Sequence, residues 1–171
     1  MATLSATLTI SLSAALQAAL DLGSSIANLA THYSTQFTNG SGAGQANEIY
    51  WAERTLGASA SEQLDLNGTG LQNPLNTNLA LVRIKGLVVA ADAGNTNNLV
   101  VGAGTNAVAG LFGATTHTGI VRPGGALCWL CGSGDAAGYA LTAGTADLLQ
   151  IANSGAGSTV TYAIAVIGAT S

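Results

Sequence analysis

From Ala2 to Leu22 an apolar residue occupies every even position: Ala2, Leu4, Ala6, Leu8, Ile10, Leu12, Ala14, Leu16, Ala18, Leu20 and Leu22. Between them stand Thr3, Ser5, Thr7, Thr9, Ser11 and Ser13, then Ala15, Gln17, Ala19 and Asp21. A period of two marks extended chain with one dry face. At about 3.3 Å per residue the segment reaches roughly 65 Å, whereas an ordinary strand spans about 17–20 Å. So long a strand does not fit one compact domain. The pattern therefore predicts either a strand that bends between sheets or an arm that lies on another subunit. An unpaired apolar strand is also a template for aggregation, so something has to cover it. Over Ser13–Leu22 the spacing of Leu12, Leu16 and Leu20 fits a helix as well, and helix stands as the competing reading there.

The remaining chain, residues 23–171, reads as a single β domain. Ile26–Phe37 is weakly patterned and predicts a second strand. The run Asn39-Gly40-Ser41-Gly42-Ala43-Gly44 is a loop, because glycines at that density hold regular structure only at high entropic cost. Glu48–Leu56 alternates, with Ile49 and Trp51 on one face and Arg54 on the other. Leu64 and Leu66 precede an expected turn at Asn67-Gly68-Thr69-Gly70 and a break at Asn73-Pro74. Thr77–Ala90 is the strongest central strand, with Val82, Ile84 and Val88 on one face and Arg83 and Lys85 on the other. Short strands follow at Leu99–Val101, Ala107–Phe112, Ile120–Arg122, Ala126–Cys131, Tyr139–Thr142 and Leu148–Ala152. In Val160–Ile167, Val160, Tyr162, Ile164 and Val166 alternate with small residues. Pro123-Gly124-Gly125 and Ser154-Gly155-Ala156-Gly157-Ser158 supply tight turns. Some eight to ten short strands at this spacing predict an all-β sandwich or barrel.

Composition sharpens the picture. Of the 171 residues only 7% are charged, 48% are hydrophobic and 23 are glycine, where about a quarter charged is usual. Polarity rests on Ser, Thr, Asn and Gln, giving a neutral surface that repels neighbours poorly and suits a protein packed into an assembly. A net charge of −4 with four basic residues argues against a site that tracks nucleic-acid phosphates. No apolar run reaches the eighteen or so residues of a membrane helix. The N-terminus lacks the basic region of a signal peptide, so synthesis and use in the cytoplasm are expected.

Candidate chemistry is sparse. Cys128 and Cys131 form a CxxC within a strand-like apolar run, where residues three apart face opposite ways, and no second ligand pair completes a zinc site. Reduced thiols packed in the core are the expectation. His32 and His117 are isolated, with no nucleophile elbow or triad spacing around them. Asp65-Leu66-Asn67-Gly68-Thr69-Gly70 imitates the start of a calcium loop, but its twelfth position is Asn76 rather than a bidentate Glu. The group Asp92, Asn95 and Asn97 also reads as a turn. Gly102-Ala103-Gly104 lacks the third glycine and the helix of a dinucleotide fingerprint. Glu53-Arg54 and Glu62/Asp65 are the nearest acidic clusters to a carboxylate pair, and a surface ion pair or solvated edge explains them. The residues thus predict a protein that is not an enzyme and holds no metal or cofactor.

Four stretches carry a family likeness: Ala58–Leu66 (ASASEQLDL), Ala93–Gly104 (AGNTNNLVVGAG), Val121–Leu127 (VRPGGAL) and Asp135–Gly168 (DAAGYALTAGTADLLQIANSGAGSTVTYAIAVIG). In them the chain resembles the small jelly-roll virion proteins of tailed bacteriophages, especially the cement or decoration proteins that coat capsids. Ala126–Cys131 departs from that pattern. The resemblance implies a homotrimer on local three-fold axes of a capsid surface, clamping neighbouring major capsid protein subunits with arms, and it brings no catalytic residues. On this reading residues 1–22 form the arm, and Leu4, Leu8, Ile10, Leu12, Leu16, Leu20 and Leu22 form the subunit interface. The alternative is a tail-fibre or receptor-binding jelly roll that recognises host saccharide. Its aromatics would be Tyr50, Trp51, Trp129 and Tyr139, whose place in strands favours the core.

Overall fold

The computed structural model describes residues 3–171; Ala2, the first residue of the alternating run, lies outside them. The fold is all-β, built from several antiparallel sheets with one helical turn. The alternating segment is a strand, β1 (Ala6–Leu20), and it pairs along its whole length with β2 (Gly23–Asn39). The register runs from Ala6 opposite Phe37 to Leu20 opposite Gly23. The loop between them is Asp21-Leu22, and Gly23 sits at a positive φ of 154°, a conformation glycine adopts without a side-chain clash. The helical alternative over Ser13–Leu22 is therefore overturned, because the extended backbone gives every residue of β1 a ladder partner. The break expected after residue 22 falls at the tip of this hairpin; β2 shares the ribbon with β1, and only its end joins the body, where Thr38 and Asn39 pair with Gln45 and Ala46.

After the hairpin come β3 (Gln45–Ala46), β4 (Glu48–Leu56), β5 (Ser61–Asp65), β6 (Asn67–Gln72), β7 (Asn78–Ala80) and β8 (Arg83–Ala91). Then follow β9 (Leu99–Gly102), the turn of helix α1 (Ala109–Phe112), β10 (Thr118–Val121), β11 (Ala126–Leu130), β12 (Tyr139–Ala140), β13 (Leu148–Asn153) and β14 (Val160–Ala169). One sheet has the order β10-β9-β13-β5; the other has the order β11-β8-β14-β4, with β12 added to β8. Their inner faces share one apolar core. Leu64, Leu99, Val101, Leu149 and Ile151 come from the first sheet, and Leu87, Val89, Tyr162, Ile164 and Val166 from the second. The alternation along β14 thus places its even residues inside, as the sequence predicts.

Three sequence expectations need correction. Thr77–Ala90 is not one strand. It divides into β7 and β8, and a bulge opposite Ile167 and Gly168 makes Lys85 the extra residue in β8. Because a bulge resets which side chains face inward, Ile84 is buried in the core while Val88 faces outward, and Lys85 is fully buried. The expected turn at Asn67–Gly70 lies within β6, paired with β7 only at Asn67 and Gln72. Ala107–Phe112 is not a strand, since α1 occupies its second half.

The root of the hairpin has its own small cluster. Phe37 and Ala46 are fully buried there with Ile167, and Leu4, Ala6, Leu8, Ile49 and Leu130 pack around them. Gly86 makes this closeness possible, because a Cβ there would lie 3.0 Å from Leu8 Cδ2. Truncating Phe37 to Ala should lower the unfolding free energy by about 3 kcal/mol. Leu16→Ala, far out on the ribbon, should change it by less than about 0.5 kcal/mol in the dilute protein. Urea unfolding of the two variants checks the contrast.

Candidate functional site

Residues directly opposite in an antiparallel pair point to the same face, so the ribbon has two unlike sides. One carries Leu8, Ile10, Leu12, Ala14, Leu16, Ala18 and Leu20 with Ala27, Leu29 and Tyr33 from β2. The other carries Thr7, Thr9, Ser11 and Ser13 with Asn28, His32, Ser34 and Gln36, and Thr9 and Ser34 share a hydroxyl hydrogen bond of 2.8 Å. The apolar side is covered only at the root. Beyond it Ile10, Leu12, Leu16, Leu20, Leu29 and Tyr33 are all exposed, Leu16 to 77% and the loop residue Leu22 fully. Leu4 and Leu8 belong to the root cluster, so the seven interface candidates divide into two that anchor the ribbon and five that project from it. Leu29 and Tyr33 were not foreseen: Ile26 and Ala30 fall on the polar side and blur the period of β2.

A second open surface lies on the body. The outward residues of the β4/β14/β8/β11 sheet form cross-strand rows fixed by its register. The first row, Ile49–Ile167–Gly86–Leu130, lies beneath the hairpin root. The second, Trp51–Ala165–Val88–Cys128, and the third, Glu53–Ala163–Ala90–Ala126, are exposed or half-exposed and lie beneath no other element among the described residues. These eight positions hold a single charge, on Glu53. Trp51 is 58% exposed, contrary to the expectation that the strand aromatics lie in the core; Tyr50 is buried, and Trp129 and Tyr139 are half-buried against the core. Trp51 and Leu75 also flank a groove of about 370 Å³ beside the root, where Glu48 accepts hydrogen bonds from Asn73 Nδ2.

Several titratable residues of the body are engaged in structure. Arg54 faces inward and binds Glu62 through Nε and Nη2, while the Tyr162 hydroxyl donates to the other Glu62 oxygen at 2.9 Å. This tie joins the two sheets and differs from the surface pair expected of Glu53-Arg54. Burial and the Glu62 carboxylate push the Tyr162 phenol well above its usual range, and the hydrogen bond to Glu62 holds Arg54 more firmly protonated. Lys85 donates to the carbonyls of Asp135 and Ala136 at 2.7 and 2.6 Å and so pins the loop after β11. Asp135 in turn accepts from the amides of Ala137 and Gly138, which holds its carboxyl below the usual range.

Cys128 and Cys131 are free thiols, as expected, but Cys128 lies on the outer sheet face rather than in the core. His32 lies on the ribbon's polar side, and His117 bonds the Phe112 carbonyl through Nδ1. Asp65 accepts from the Asn67 amide and Asp92 from the Gly94 amide, as local turns do. No cluster of three His, Cys, Asp or Glu that could hold a metal occurs among the described residues, and no helix among them is long and apolar enough to cross a membrane. Fold and surface together define an all-β protein with a projecting, one-sided ribbon. No family model, curated protein or solved structure matches the chain.

Burial, followed by the Asp135 charge, pushes the Cys131 thiol up to about 11. The unfolded thiol releases its proton near pH 9, so between about pH 9 and 11 the folded state binds more protons and stability falls as pH rises. Chemical denaturation across that window should show the fall, and Cys131→Ala should make it shallower, the remainder coming from the raised Tyr162 phenol. In the folded protein at high dilution iodoacetamide should label Cys128 and spare Cys131, as peptide mass mapping would show.

Proposed function

We propose that this chain is a structural virion protein of jelly-roll type, which decorates and stabilises a phage capsid by bridging neighbouring major capsid protein subunits as a homo-oligomer. The observation that carries this reading is the ribbon's uncovered apolar side. A two-stranded hairpin is marginal on its own in water, and a row of exposed Leu, Ile and Tyr side chains is an interaction surface rather than a solvated one. The sparse charge agrees with dense packing, where unpaired ions would be costly to bury. Each methylene taken from water contributes about 0.8 kcal/mol, so many copies bound through such ribbons would stiffen a shell. The homotrimeric state and the capsid surface as its location belong to the same proposal, and it involves no membrane, nucleic acid or catalysis.

Trp51 favours a second reading. An exposed indole beside Asn47, Glu48 and Asn73 offers stacking and hydrogen-bonding groups of the kind that hold a sugar ring. A tail-fibre or receptor-binding module would use that groove.

A shortened hairpin separates the two. Removing residues 1–22 would also strip Leu4, Ala6 and Leu8 from Phe37, so the better variant joins Thr9 to Ser34 through Asn-Gly and keeps the root. The capsid reading expects the wild type to bind undecorated capsids, from the phage whose genome carries the gene, at a fixed ratio. It expects the shortened chain to lose that binding at least tenfold. Sedimentation with capsids measures both; undiminished binding by the shortened chain refutes the role of the ribbon. If Trp51→Ala instead abolishes binding to host cells and leaves the capsid result null, the receptor reading stands.

A further inference from the structure

We infer that the uncovered apolar side of the hairpin docks on a second copy of this chain, across the second and third outer rows of that copy's β4/β14/β8/β11 sheet. The inference rests on the homo-oligomeric part of the proposed function and names the two surfaces that meet.

The chain already packs in this way within itself. At the hairpin root Leu4, Ala6, Leu8 and Phe37 lie over the first row, Ile49–Ile167–Gly86–Leu130. Leu4 borders the groove beside Ile49, Leu8 touches Gly86, and His32–Thr35 border Leu130 and Gly132. The ribbon therefore crosses the sheet from β4 to β11 and then leaves it, with the same apolar side continuing into solvent. A ribbon of two strands is about 10 Å wide, and successive outward rows are about 6.7 Å apart. A second ribbon laid beside the resident root would cover the next two rows.

Shape and charge agree. The ribbon offers large side chains, Ile10, Leu12, Leu16, Leu29 and Tyr33, whereas the open rows offer mostly Ala and Val in a shallow depression of about 290 Å³. Large on small is how two sheets interdigitate. Glu53 is the only charge in the rows, and the exposed ribbon face has none. Packing ribbon on ribbon would leave the sheet rows bare, whereas ribbon on sheet removes both surfaces from water at once. One contact covers about 250 Å² a side by the strand spacing, well under the roughly 800 Å² of a standard interface. Each copy, however, gives one ribbon and receives another. Such a head-to-tail contact is satisfied throughout only when the copies close into a ring.

Cys128 lies in the second row, half-exposed, and serves as a native probe. Single cysteines placed at Leu12, Leu16 and Leu20 on the apolar side, and at Ser11 and Gln17 on the polar side, are oxidised with copper phenanthroline at pH 8.5. The full chain is used in every case. The expected result is disulfide-linked chains from the apolar-side positions, formed at least tenfold faster than from the polar side and lost when Cys128→Ser is added. Linkage that survives Cys128→Ser means ribbon meets ribbon and overturns the inference, as does the absence of linkage at every position. Ala165→Asp provides an independent arm: with far-ultraviolet circular dichroism unchanged, self-association by sedimentation velocity should weaken at least tenfold, and wild-type association would contradict the assignment. Copies that associate through these faces but ignore capsids leave the inference standing and remove the virion reading. A monomer that binds capsids removes the inference and the homo-oligomeric part of the proposed function, and leaves capsid decoration standing.

Discussion

Each strand of a two-stranded ribbon has only one neighbour, so half its backbone groups and one whole side-chain face depend on something outside the pair. For β1 and β2 that dependence extends over about 50 Å of chain and falls on a face of Leu, Ile and Tyr. Only the root satisfies it internally, where Phe37 is buried with Ile167 and Leu8 rests on Gly86. The outer face of the large sheet makes the matching demand: its first row is covered by the ribbon and its next two are open. Exposed edges and flat apolar faces are hazards that natural sheets normally blunt with charge. Here the chain has almost no charge with which to do so.

The body beneath is cross-tied by its own polar side chains. Several of its ionisable side chains make internal ties. Arg54, Glu62 and Tyr162 join the two sheets, Lys85 pins the loop after β11, and Asp135 caps that loop's amides. Cys131 stays a neutral thiol because burial, followed by the Asp135 charge, disfavours its thiolate. The two large open faces that remain, on the ribbon and on the outer sheet, are apolar, and apolar surface acts by association.

Much of this was legible in the chain. The strict period over residues 4–20 identifies extended structure and its dry face, and the alternation along Val160–Val166 identifies a core strand. The partner of β1 was harder to read, because Ile26 and Ala30 put apolar side chains on the polar side of β2. The tip Asp21-Leu22-Gly23 also lacks the Asn-Gly or Asp-Gly signal of a tight hairpin, so one ribbon read as an arm and a separate strand. The faces of β8 were hidden for a different reason: a bulge is a two-against-one pairing that no single strand displays, and it puts Ile84 inside and Val88 outside although simple alternation sets both on one face. The rows Trp51–Ala165–Val88–Cys128 and Glu53–Ala163–Ala90–Ala126 were invisible because they join four strands far apart in sequence. Only the register brings them together.

The central claim, that the ribbon takes its cover from another copy, is tested most directly by hydrogen exchange measured as a function of protein concentration. The amides of residues 10–20 and 23–33 should gain protection as concentration rises, while those of β8, β13 and β14 stay constant. Protection of the ribbon that is the same at every concentration would contradict the account.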